Sequence, residues 1–193
     1  MGRKKDLFKD LDIDRLTKDK PDAWHAYPVF YFDFDGKNYK KDNALEELLE
    51  LNLRRWEKQY GQEYSDMAQE ERFGMLLQLA HEKTGLRSVV LVDEYDKPLL
   101  EVLDHPKRLD HNKAVLKGLF GNLKKHDEDI HFIFITGVTK FHKESIFSDL
   151  NNLNDISLDE SYATICGITE SELKDSCSKE IDALASKQHL STI

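Results

Sequence analysis

The chain has 193 residues, 34% of them charged and 39% hydrophobic; that balance excludes disorder throughout and indicates one α/β-sized core beneath an ionised surface. The net charge of -9 argues against a dispersed nucleic-acid-binding surface, which needs clustered Lys and Arg. No apolar run approaches the ~20 residues of a membrane span, and the start Met1-Gly2-Arg3-Lys4-Lys5-Asp6 lacks the apolar stretch of a signal peptide, so a cytoplasmic location without a membrane partner is expected.

In chain order, a polar stretch with the apolar anchors Leu7, Phe8, Leu11 and Ile13 precedes the aromatic and β-branched run Pro28 to Phe34, which reads as a strand stopped by Asp35-Gly36. Asn43 and Glu46 have capping-box spacing, and Leu45, Leu48, Leu49 and Trp56 follow at helical intervals, which predicts a helix over 43–60. Phe73, Leu76, Leu77 and Ala80 mark a second helix, with Gly85 where a left-handed C-terminal residue belongs. The continuous apolar run Ser88 to Val92 reads as a strand covered on both faces of a parallel sheet. Leu116, Leu119, Phe120 and Leu123 mark a third helix, and Ile130 to Thr136 a further buried strand ending at Gly137.

Beyond these, Ala163 to Gly167 has the character of a short fourth strand, and Thr169 with Glu172 forms a capping box stapled by Ile168 and Leu173 for a last helix over 170–186. Strands alternating with helices imply βαβ crossovers, a mainly parallel sheet and helices on both faces. The fold class is therefore α/β. Cys166 and Cys177 have no partners at ligand spacing, which excludes a disulfide framework and a structural zinc site. The basic clusters Arg3-Lys4-Lys5 and Lys40-Lys41 are interrupted by acids and read as solvated faces.

Ligands of parallel sheets gather beyond the carboxyl ends of the strands, which directs attention to three positions. Four apolar residues followed by Asp93-Glu94 form a Walker B pattern: the Asp holds Mg²⁺ through water and the Glu polarises the water that attacks the γ-phosphate. For a bare pattern of this length, solvated loop acids are the competing account. Thr136, at the tip of the following strand, has the placement to sense phosphate or orient water, against ordinary strand termination. Asp33 and Asp35 read as water-facing acids of an edge strand.

The segments Val90 to Leu99, Phe134 to Phe141 and Ser145 to Ser157, extended by Trp24 to Val29 and Tyr162 to Glu170, closely resemble a family of bacterial proteins, the predicted AAA-ATPase-like family. The resemblance runs from about Leu7 to Leu173 and keeps several motifs in order. It implies a P-loop NTPase (AAA/ASCE-like) core, as a partial ATPase domain over 1–168 and the start of a C-terminal helical region over 169–193. Asp93 would position the metal, Glu94 would activate water, Thr136 would act as sensor and Lys140 would approach phosphate. Mg²⁺ and ATP are the cofactors of the complete domain.

One part of the pattern is absent. No Gly-x-x-x-x-Gly-Lys-Ser/Thr occurs, and Gly36-Lys37 is followed by Asn38. The P-loop strand expected beside the sensor strand, with its nest of backbone N–H groups and its Lys, is lacking. The expectation is the Walker B and sensor portion of an ATP-hydrolysing domain, inactive in isolation and binding no nucleotide tightly. Its partner would be a missing N-terminal P-loop segment or a separate chain that bears one. A non-catalytic interaction module is the alternative; a nuclease using Asp93, Glu94 and Asp96 lacks a Glu-x-Lys partner at the proper spacing.

Overall fold

A computed structural model of the chain describes residues 5–61, 66–138, 146–147 and 153–187. The chain divides into two compact units, Met1–Asn151 and Asn152–Ile193. Among the described residues the first unit is built on a three-stranded sheet of β1 (Val29–Asp33), β2 (Ser88–Asp93) and β3 (Ile130–Ile135). The order is β1-β2-β3 and both pairings are parallel. A short helix α1 (Asp12–Leu16) precedes the sheet. Between β1 and β2 run α2 (Ala44–Tyr60) and α3 (Gln69–Thr84); between β2 and β3 run α4 (Lys97–Leu100) and α5 (Pro106–Lys125). The fold is α/β, a parallel sheet with flanking helices.

The core forms where the even residues of β1 meet α2 and α3. Phe30 and Phe32 are fully buried, and their rings meet Trp56 edge-on at 5.0 Å in each case and Phe73 at 5.8 and 5.2 Å. Edge-to-face aromatic pairs of this kind add ~0.5–1.5 kcal/mol each beyond their buried area. Leu45, Leu49, Leu53, Trp56 and Tyr60 present one stripe of α2 to this core, and Phe73, Leu76, Leu77 and Ala80 present that of α3. Gly85 ends α3 with φ +68°, as its position in the sequence predicts.

The two long helices are joined by a buried ionic network. Arg72, 4% exposed, donates to Glu57 from Nε at 2.7 Å and from Nη2 at 3.0 Å, and to Glu50 from Nη1 at 2.6 Å. Its first cause is the bond to Arg72: the Glu50 carboxyl is held well below the usual range, at about 2.

Among the described residues the expected cover on both faces does not form. Phe30, Phe32, Val90 and Val92 share the covered face. Val29, Tyr31 and Phe132, on the other, are 45%, 41% and 52% exposed. The physical reason is strand order. Consecutive parallel neighbours joined by right-handed crossovers place successive helices on the same side, and only a reversal of strand order would put one opposite. For the same reason β3 is not the buried strand that its apolar run predicts.

Four local expectations are also corrected. Asn43 does precede α2, but with φ +57° and no side-chain cap bond, and the Glu46 carboxylate pairs with His111, so the capping box is not made. In the second unit, the segment 163–167 forms turns, with Ile165 53% exposed and Gly167 at φ +91°; no strand forms there. The Thr169–Glu172 box is present, yet Ile168 and Leu173 stay 74% and 44% exposed. The last helix is two: α6 (Glu170–Ser176) and α7 (Ser178–Lys187), interrupted at Cys177.

Candidate functional site

Asp93 is the last residue of the central strand and shares strand parity with Val89 and Leu91, which places it at the carboxyl end of the open face. Two neighbouring strands hold its carboxylate. Thr136, immediately after β3, donates from Oγ1 to Asp93 Oδ1 at 2.5 Å, and Tyr31 of β1 donates its phenol to Oδ2 at 3.2 Å. A hydroxyl bonded to an ionised carboxylate at that distance is a strong, charge-assisted contact that fixes the orientation of the acid. Partial burial, followed by the charge of Asp33 and the bond to Asp93, pushes the Tyr31 phenol up, so it stays a donor.

The backbone supplies the rest of the frame. Thr136 N–H donates to Val92 O at 2.8 Å and Tyr95 N–H donates to Thr136 O at 3.0 Å, so the β2–β3 pairing continues past both strand ends. Glu94 follows with φ +56°, a left-handed conformation that non-glycine residues adopt seldom and at a cost. It turns the chain out of the sheet directly after Asp93. Asp96 is fully buried, and its Oδ1 accepts the N–H of Val138 at 3.3 Å. Gly137 is required here by close approach: a Cβ would lie 2.6 Å from the Tyr95 ring and 2.9 Å from Asp96 Oδ1.

Asp93 and Thr136 therefore meet at one strand-end crossing, with Glu94 next in the chain after Asp93, whereas Lys140 lies outside the described residues. Lys97 sets its Nζ 3.4 Å from Asp35 Oδ1 and ties the loop after β2 to the loop after β1. The bond from Gly36, then that from Lys97, lowers the Asp35 carboxyl. Tyr31 and Gly137 escaped sequence reasoning. The parity of Tyr31 with Asp33 in β1 was the available signal for the first; the clash at Gly137 has no local signature.

Among the described residues no three His, Cys, Asp or Glu side chains converge as a metal site. Asp93 with a Thr hydroxyl beside it does not fit an all-protein cation cage. It does fit the mode of Mg²⁺, which binds through one or two carboxylates and takes its remaining ligands from water and phosphate.

With this geometry in place, comparison with known proteins places the chain. Residues 1–147 match the AAA-ATPase-like family, described as "Predicted AAA-ATPase", and the chain belongs to that family. It is also similar to an "Uncharacterized protein in vnfD 5'region" of Azotobacter chroococcum mcd 1, with 37% identity over 171 residues, covering 86% of this chain and 32% of that protein. The chain thus spans about a third of the length of that relative. No solved structure matches. No helix among the described residues is long and apolar enough to cross a membrane.

Proposed function

We propose that this chain carries the metal-positioning and water-activating part of an ATPase site, completed by a P-loop that its 193 residues do not contain. The observation that supports it most is the clamp on Asp93, at the end of the central parallel strand, by Thr136 from the adjacent strand end at 2.5 Å. In this reading Asp93 would hold Mg²⁺ through water, and the metal would supply charge neutralisation at the phosphates. Glu94 accepts a proton from the attacking water. Thr136 orients the Asp93 carboxylate in the state described and acts as sensor when phosphate is present; Lys140 would approach phosphate. The carboxylates alone present negative charge to a negative ligand, so tight nucleotide binding awaits the P-loop amides and Lys.

Isothermal titration of Mg·ATP into the 193-residue chain should give no heat of binding that Asp93→Asn removes, and micromolar affinity that depends on Asp93 would sink the split-site reading. Addition of a P-loop-bearing segment or chain should confer hydrolysis that Glu94→Gln abolishes; turnover persisting in that variant would remove Glu94 from the role of base.

One observation favours a second reading, a non-catalytic interaction module. The open face exposes Val29, Tyr31 and Phe132, and β3 has no outer neighbour among the described residues, a combination that invites strand addition. Sedimentation that stays monomeric at every concentration, together with restored ATP hydrolysis, would leave this reading without support.

A further inference from the structure

At the amino ends of α2 and α5 lies a cleft of about 300 Å³ whose lining includes the cations Lys41, Lys107 and Arg108, the Asp42 carboxylate, and His111, which pairs with Glu46. We propose that it binds the phosphate group of a small phosphorylated ligand. It contains neither Asp93 nor Glu94, so the inference stands apart from the ATPase reading.

The chain is acidic, with a net charge of -9, and yet three obligate cations meet at this one cleft. The Lys41 and Lys107 ammonium groups have no ion-pair or hydrogen-bond partner among the described residues, and both side chains are exposed to the cleft mouth. Arg108 is oriented already: its guanidinium donates to the Lys40 carbonyl and to the Asp42 carboxylate. Asp42 is itself 84% exposed, so an incoming anion can take its place while that carboxylate turns to water. Two independent features add to the cationic lining. α2 and α5 both begin here, and neither N-cap side chain makes a cap bond, so the amino-terminal turns of both helices border the cleft, that of α2 with Glu46 and Glu47 beside it.

The floor is rigid. Tyr39 is 1% exposed; its hydroxyl donates to Phe34 O at 2.8 Å, and its N–H donates to Glu101 Oε2 at 3.1 Å. Asn112, 4% exposed, donates to Pro98 O at 2.8 Å. Several cations around one fixed cleft suit a multiply charged anion better than a single carboxylate. A volume at the small end of ligand pockets suits a pyrophosphate or mononucleotide. A nucleic-acid tract would have to cross the acidic surface beyond the cleft.

Isothermal titration of the full chain with pyrophosphate and with adenosine monophosphate, in low salt and EDTA, tests this. EDTA removes any metal-bridged binding at Asp93, so failure of the ATPase reading and failure of this one are distinguishable. Saturable binding of both ligands is expected, with affinity lowered about tenfold or more in the Lys41→Ala/Lys107→Ala double variant. The thermal melt of that variant should match the parent, since both side chains are exposed and have no partner among the described residues. Absence of saturable binding would overturn the proposal, as would equal affinity in the double variant. So would binding of a single-stranded oligonucleotide that pyrophosphate fails to displace.

Discussion

The two faces of the sheet carry nearly the same residue types and have opposite fates. Phe30 and Phe32 are sealed against Trp56 and Phe73 and are fully buried; Val29 and Tyr31, one residue away in each case, are 45% and 41% exposed. Hydrophobicity alone does not distinguish them. Strand order and crossover handedness do, by sending α2, α3 and α5 to one side. Stability therefore resides on the covered face, and the proposed chemistry, through Asp93, at the carboxyl end of the open one.

That division can be broken from the covered side first. Trp56→Ala removes the ring shared by Phe30 and Phe32 and should cost ~3–5 kcal/mol in urea unfolding; a loss under ~1 kcal/mol would mean that the aromatic cluster is not the stabilising element. Arg72→Met leaves Glu57, 2% exposed, as an uncompensated buried charge, and a loss of about 3 kcal/mol is expected. Adding Glu57→Gln to that variant should recover part of the loss, and strict additivity would contradict the coupling.

The same network sets an acid limit. The Glu50 carboxyl is depressed from 4.5 to about 2, so its contribution is complete above pH 4.5 and is lost as the pH falls toward 2. Glu50→Gln should flatten that part of the stability-pH profile, measured by chemical denaturation; an unchanged slope would rule Glu50 out. At the junction of the faces, Gly137→Ala forces a methyl against Tyr95 and Asp96 and should cost ~1–3 kcal/mol. The smallest effect belongs to the open face: Phe132→Ser, at a residue 52% exposed, should change stability within ~0.5 kcal/mol. A larger loss there would show the face to be covered in solution.

What the sequence made legible was local. Aromatic, β-branched and continuous apolar runs located β1 and β2, a period of three to four located α2, α3 and α5, and Gly85 marked an end. The Asp93 and Thr136 positions followed from strand ends, and their meeting is borne by a hydrogen bond across two strands. Less legible was anything that depends on a partner distant in the chain. Glu46 sits at capping-box spacing but turns to His111, on a helix that begins after β2. The run Ile130 to Thr136 has the pattern of a strand covered twice, because a continuous apolar sequence does not record on which side its helices lie. Lys41 is exposed, as its sequence context predicts, while the cleft it shares with Lys107 and Arg108 left no local signature because those residues belong to another helix.

The pairing of β1 with β2 also governs how the chain acquires this structure. The Tyr31–Asp93 contact joins residues 62 apart in sequence, and Thr136–Asp93 joins residues 43 apart. Each closure carries its loop entropy before any ladder bond forms, whereas α2 and α3 nucleate within their own segments. The helical pair should therefore condense early, and assembly of the sheet should set the overall rate. The carboxylate clamp on Asp93 is then among the last features to appear in a refolding experiment.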